Sequence, residues 1–272
     1  LKKIIRIVFI ILLLILISGG IFSYYVLLTP NITLVKREQP FIFIATGSTF
    51  DDVVISLDST VHLKNRFTFR LTSTLIKYPA HIRAGRYKVY SGMSNLAMLK
   101  LLRSGSQSPV NLVFNSMRTK QEFARCISEQ LEMKYDTLLW YLNDNDYLSG
   151  YGLNRHTALM LFIPNTYEFF WNTSTGVFFH RMKKEQEKFW SDERKRKAAA
   201  LGLTQAQVFI VASIVEQETQ HNEEKPILAG IYLNRLHKNM KLDADPTLIY
   251  ALGDYSIQRV LNEHKQIDSP YN

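Results

Sequence analysis

The chain of 272 residues contains a single cysteine, Cys126, so no intrachain disulfide can close and no cysteine-rich zinc cage can form. Its seven histidines are scattered, with no pair four residues apart and no His-Glu-x-x-His, which removes the usual metalloprotease signature. A Walker-type phosphate loop, Gly-x-Gly-x-x-Gly and Gly-x-Ser-x-Gly are also missing, so nucleotide-binding and serine-hydrolase readings lose their best signals. There is no internal repeat or low-complexity tract, and 46% hydrophobic with 21% charged residues is a folding composition that rules out wholesale disorder. Cys126, on a predicted helix with no histidine near it in sequence, reads as a buried thiol rather than a nucleophile. No metal and no cofactor are expected.

Charge narrows the partners without choosing one. The chain carries 33 Lys and Arg against 24 Asp and Glu, a net +9; Lys2, Lys3 and Arg6 supply three of these charges, which leaves +6 for the remainder. That excess suits lipid head groups or bacterial wall polymers as well as nucleic acid. The densest basic run, 183–197, is interleaved with Glu185, Glu187, Asp192 and Glu193. It reads as a solvated helix face, and nucleic acid is not expected as a partner.

From Ile7 to Leu28 no residue is charged, and at ~1.5 Å per residue the stretch reaches about 33 Å, enough to cross a hydrocarbon core of about 30 Å. Lys2, Lys3 and Arg6 stand before it and Tyr24 and Tyr25 near its far end. The positive-inside rule then predicts a cytoplasmic tail over 1–6, a single transmembrane helix over 7–28, and export of everything beyond. A cleaved signal peptide is the competing reading, with Ser18-Gly19-Gly20 as a small-residue site. The apolar run resumes beyond those glycines and is too long for a signal core.

The exported part reads as α+β. Phe41-Ile42-Phe43-Ile44 predicts a strand, Asp51 to Leu57 a helix, His81 to Tyr90 a second strand, and Ser94 caps a helix to Leu102. Pro109 to Phe114 predicts another strand, and Thr119 caps a helix through Leu131. Leu159 to Ile163 reads as an apolar strand, 164–168 as a loop, and 176–200 as one long charged helix. Thr204 with Gln207 forms a capping-box pair that starts a helix over 205–219, apolar on every side in its middle and therefore expected to be buried. Pro226 suits the first turn of a helix that stops near Asn239.

Glu216 shares a helical face with Phe209, Ala212 and Ser213, so its carboxyl is expected to be partly desolvated. Burial without a cation would keep it protonated, as a general acid requires. The bland alternative is a surface carboxylate paired with Arg235. Glu218 is rotated by about 200° from Glu216, so the two should not form a pair. Three further segments are candidates. Asp243-Ala244-Asp245-Pro246-Thr247 is either an Asp-Pro turn or a site for a cation or sugar, and the others are 164–168 and Ser269-Pro270-Tyr271-Asn272.

Ala212 to Glu218, Asn234-Arg235-Leu236, Asp245 to Tyr250 and Ser269 to Asn272, in this order, resemble the YceG-like, MltG-type endolytic murein transglycosylases. Looser similarity runs back through Ile163 to Tyr167, Ala84 to Tyr87 and Gly92-Met93-Ser94. The resemblance implies a LysM-like module, placed over 38–108, a connecting segment over 109–157 and a catalytic domain over 158–272. It implies Glu216 as the catalytic acid, with Asn234, Asp245, Thr247, Tyr250, Tyr271 and Asn272 as substrate-binding residues. Asn165 stands where many relatives have an aspartate, Phe114-Asn115-Ser116-Met117 replaces a Pro-Glu-Gly-like turn, and the chain is expected to stop inside the catalytic domain.

The reaction so implied is non-hydrolytic cleavage of nascent peptidoglycan between N-acetylmuramic acid and N-acetylglucosamine, leaving 1,6-anhydromuramyl ends. It needs one carboxyl rather than the pair used by glycoside hydrolases. The expected partners are glycan strands, the bacterial inner membrane and, as candidates, peptidoglycan synthases. The rival readings are a wall-binding membrane protein without activity and a hydrolase.

Overall fold

A computed structural model of the protein describes residues 2–36, 40–257, 259–269 and 271. The chain folds into two compact units, the first comprising 1–155 with 164–181 and the second 156–163 with 182–272. Among the described residues the regular elements are helices and three antiparallel strand pairs, an arrangement compatible with the expected α+β class.

The first unit begins with helix α1 (Lys2–Leu28), whose apolar window has a mean hydropathy of 2.9, long and apolar enough to cross a membrane. Strand β1 (Ile32–Leu34) pairs with β3 (Val61–Leu63), and β2 (Phe41–Ile44) with β4 (Gly85–Lys88), Phe41 standing opposite Lys88. Between the strands lie α2 (Phe50–Thr60) and α3 (Arg66–Leu75), followed by α4 (Asn95–Ser104). Their starts follow from local chemistry: Thr49 closes a capping box with Asp52, Asn65 accepts from the Thr68 amide, and Ser94 from the Ala97 amide. Ile42, Val53, Leu57, Phe69, Tyr87 and Leu99 form the centre of the core around them.

Beyond this core, β5 (Val110–Phe114) precedes α5 (Lys120–Gln130), α6 (Tyr135–Tyr141) and α7 (Asn145–Ser149). Thr119 and Glu122 form the capping box of α5. The Cys126 thiol lies half-buried on α5, its ionisation pushed up chiefly by that burial, with Gln130 Nε2 at 3.2 Å.

Four expectations are corrected. Residues 164–168 are not a loop: β6 (Asn165–Phe169) pairs with β5, Val110 opposite Phe169 and Phe114 opposite Asn165. Its alternation puts Tyr167 and Phe169 inside, where the Tyr167 ring stacks on Phe114 at 5.5 Å, so a partner distant in sequence decides the conformation. The apolar run before it is not a strand either, since Ala158–Leu161 forms a 3-10 turn.

The long charged helix breaks into α8 (Thr175–Phe189) and α9 (Asp192–Ala200). Trp190 is buried at the break, Ser191 accepts from the Arg194 amide, and the Arg194 guanidinium covers both the Phe189 carbonyl, at 2.7 Å, and its ring. Burying one indole and re-capping the chain outweighs continued helix. The charged faces carry spaced pairs such as Lys188 with Glu185 and Lys197 with Glu193, as a solvated face should.

The fourth correction concerns the second unit, where α10 (Gln205–Glu218), α11 (Lys225–His237) and α12 (Asp245–Leu252) follow α9. α10 is not buried all round. Only Val211, Ile214 and Val215 are buried, and Ile210 is 47% exposed. α11 and α12 cover one side of α10, so its apolar circumference exceeds what its neighbours hide.

Candidate functional site

α10 starts where the sequence says it should: the Gln207 amide donates to Thr204 Oγ1 at 3.2 Å and the Thr204 amide to Gln207 Oε1 at 2.8 Å. At the other end the chain turns back through Thr219, whose hydroxyl donates to Glu224 Oε2 at 2.5 Å while accepting from the His221 amide. Pro226 in the first turn of α11 completes the reversal. The result brings the start of α11 to the last turn of α10, and Lys225 Nζ lies 2.7 Å from Glu216 Oε2.

Of the two premises for Glu216, partial burial and the lack of a cation, the second fails. Its side chain is 44% exposed, and Lys225 supplies the cation that the spacing argument left out. The alternative partner is corrected as well. Arg235 does not reach Glu216 but donates through Nη1 to the Lys241 and Leu242 carbonyls and to Asp243 Oδ2, at 3.2, 2.7 and 2.9 Å. Arg235 thereby fixes the chain that enters α12, including Asp243 with its positive φ of 49°. Ala244 is buried at the end of this segment and Asp245 begins the helix.

Asn234 is exposed on α11 and Asp245 on the first turn of α12. The Thr247 hydroxyl donates to the Ala244 carbonyl at 2.7 Å, so its proton is used in the local turn. The rings of Tyr250 and Tyr271 meet edge to face, 5.1 Å between centroids, and burial, aided by Tyr271, pushes the Tyr250 phenol up. Pro270 and Asn272 lie outside the described residues. Among the described residues no hydrogen bond or ion pair joins Glu216 to Asn234, Asp245, Thr247, Tyr250 or Tyr271. Glu216, Asn234, Asp245, Thr247 and Tyr250 share a trio of helices packed on Val211, Ile214, Val215, Tyr232 and Ala244, and Tyr271 meets that trio through Tyr250.

Tyr232 is the residue that sequence reasoning missed. Its ring is buried in that core, and its phenol is pushed up to about 12, first by burial, then by neighbouring Glu218, with Arg235 opposing and Asp245 adding. The signal was present: Leu228, Tyr232 and Leu236 recur at helical spacing, and a polar-tipped ring within an apolar row needs a buried partner. Glu216 and Glu218 thus serve different sides of α10, one turned to Lys225 and the other to Tyr232, in keeping with their 200° separation.

Residues 42–272 match the YceG-like family. Bacillus subtilis (strain 168) has a relative named endolytic murein transglycosylase, 25% identical over 94% of this chain and 75% of its own length. A protein of the same name from Streptococcus pneumoniae is 24% identical over 97% of this chain, which spans about half (53%) of that relative. Among solved structures, a YceG-like protein from Listeria monocytogenes aligns with a TM-score of 0.55 at 22% identity, over 85% of this chain and 81% of that one, a likeness of fold. With 231 consecutive residues inside the match, from Ile42 to the last residue of the sequence, the chain belongs to the YceG-like family.

Proposed function

We propose that the chain is a membrane-anchored endolytic lytic transglycosylase, a lyase that cuts nascent peptidoglycan strands between N-acetylmuramic acid and N-acetylglucosamine. The observation that carries this reading is the family match over 42–272, together with relatives named endolytic murein transglycosylase over nearly the whole chain. The location of Glu216 supports it: a half-exposed side chain at the last turn of α10, within reach of a substrate from solvent. In the proposed reaction Glu216 gives its proton to the glycosidic oxygen as that bond breaks. It then takes the proton of the muramyl C6 hydroxyl as that oxygen bonds to C1. Lys225 stabilises the carboxylate present between the two transfers. Asn234, Asp245, Thr247, Tyr250, Tyr271 and Asn272 are the proposed sugar-binding residues, and the Arg235 clamp on 241–243 sets the start of the helix that carries three of them.

In this reading residues 38–108 are the LysM-like module, 109–157 a connection and 158–272 the catalytic domain. Support for the module is the antiparallel β2–β4 pair with α2 and α3 between its strands. α1 is the anchor in the bacterial inner membrane, N-terminus cytoplasmic, supported by its length, its hydropathy and Lys2, Lys3 and Arg6 at its start. Anchoring confines cleavage to strands near the membrane, where synthases, the candidate partners, polymerise them.

The test is digestion of purified glycan strands by the full chain with the new ends weighed. Mid-length products ending in 1,6-anhydromuramic acid are expected from the outset. Glu216→Gln, which keeps shape and removes the acid, should abolish those ends and leave glycan binding intact. Unchanged products from the variant would eliminate the assignment to Glu216, and reducing muramic acid ends from the unaltered chain would make it a hydrolase.

A further inference from the structure

The end of α1 is built into the first unit rather than strung to it. The Val26 carbonyl accepts from Asn95 Nδ2 at 2.9 Å and from the Thr72 hydroxyl at 3.2 Å, both buried. Asn31 extends the lock, donating to Asn95 Oδ1 and to the Asn65 carbonyl while accepting from the Asn65 amide. The Asn31 and Ile32 amides both donate to the Met93 carbonyl. Only three residues separate α1 from β1, so no flexible tether intervenes.

Every side chain of α1 from Ile7 to Tyr25 is exposed, and burial begins at Val26. Those nineteen residues, at ~1.5 Å each, reach about 28 Å, close to the ~30 Å hydrocarbon core of a bilayer. Tyr24 and Tyr25 then fall at the depth where interfacial aromatics collect. The folded body therefore starts where the hydrocarbon ends.

α3 is one of the helices packed on α1 there, through the row that holds Thr68 and Thr72. The neighbouring row, at i, i+4 and i+8, is Phe67, Leu71 and Leu75. Phe67 is 70% and Leu75 62% exposed, and Leu71 is half-buried. α3 contains no acid, and exposed Lys64 and Lys77 bracket it. Arg66 and Arg70 occupy its other edge, paired with Asp58 and Asp51 of α2. An apolar stripe bordered by cations and continuous with a spanning helix is the pattern of a helix lying in a membrane interface.

We propose that α3 rests on the outer surface of the bilayer, with Phe67, Leu71 and Leu75 among the head groups and upper acyl chains and with Lys64 and Lys77 facing anionic phospholipid. The inference rests on the reading of α1 as a membrane span. It makes the first unit a plate held flat against the membrane, and it fixes which face of that unit is turned away toward the wall.

The test uses the full chain with Cys126→Ser, reconstituted into vesicles of equal parts phosphatidylcholine and phosphatidylglycerol. An environment-sensitive fluorophore is placed in turn at Phe67→Cys, Leu75→Cys, Ile55→Cys and Leu14→Cys, all exposed positions that tolerate a label. Position 55 is on α2, the helix tied to the far edge of α3, and position 14 lies midway along α1. With nitroxide lipids as quenchers, labels at 67 and 75 should lose most of their emission to shallow nitroxides, the label at 14 to deep ones, and the label at 55 little to either. Quenching at 14 with 67 and 75 as unaffected as 55 would overturn the proposal while leaving the anchor standing. A blue-shifted label at 67 that lipid nitroxides do not reach would place protein on the stripe and overturn it too. Failure to quench at 14 would overturn the anchor reading and this inference together.

Discussion

Two buried tyrosines show how differently the two units are built. Tyr78 in the first unit is fully buried, and its hydroxyl has no hydrogen-bond partner among the described residues. Tyr232 in the second is nearly as buried, yet Glu218, Arg235 and Asp245 lie near enough for their charges to act on its hydroxyl. The contrast extends to the cores: Ile42, Leu57, Phe69 and Leu99 are sealed at 0–1% exposure, whereas Val211, Ile214, Val215 and Tyr232 keep 5–8%. The first unit is held by apolar packing with one buried polar lock, at the end of α1. In the second, the cluster of α10, α11 and α12 brings ionisable groups to the edge of a shallow core. Carboxylates that exchange protons with a substrate must be reachable, and a deep apolar seal would deny them that.

The largest expected effect tests the chemical side of this comparison. Glu216→Gln should lower glycan cleavage by about 10²–10⁴-fold, the usual weight of a general acid. Its melting temperature should barely move, because a half-exposed ion pair with Lys225 contributes only about 0–1 kcal/mol. A large drop in thermal stability would show that the pair is structural and remove the contrast.

Leucine truncations measure the packing side. Leu99→Ala, in the sealed core, should cost about 3–5 kcal/mol in denaturant unfolding, and Leu248→Ala, 7% exposed on α12, about 2 kcal/mol. Equal costs would mean that the second core is as tight as the first.

Smaller effects come from the tyrosines. Because the phenol of Tyr232 is raised from its usual 10 to about 12, its contribution is intact below pH 10 and fades as pH climbs toward 12, where the unfolded chain ionises first. The loss is on the order of 2–3 kcal/mol. Tyr232→Phe should remove that alkaline fall in chemical denaturation and cost about 1 kcal/mol at neutral pH through the lost interaction of the hydroxyl with Glu218. Tyr78→Phe should act in the opposite direction at neutral pH, stabilising by about 1 kcal/mol, since it deletes a buried hydroxyl with nothing to bond. Destabilisation by Tyr78→Phe would mean that this hydroxyl is satisfied after all.

Where the sequence could be read, the reason was local. Ser94, Thr119 and Thr204 start helices because a side-chain oxygen meets an amide two or three residues on, whatever the rest of the chain does. The apolar helix is legible because its composition alone marks a long run without charge. The candidate site was half legible. Motif order singled out Glu216 and the segments on α11 and α12, but the spacing argument gave Glu216 an apolar setting and overlooked Tyr232.

By itself, then, the sequence determined the caps, the apolar N-terminal helix, the mixed class and the motifs that mark the family. Tertiary structure alone decided that 165–169 is a strand, that the charged helix breaks at Trp190, and that Lys225 rather than Arg235 meets Glu216. Each of these depends on which surface or charge a distant segment brings within a few ångströms. A pattern with a period of two or 3.6 residues states how a segment can present its side chains, but not what will stand opposite them.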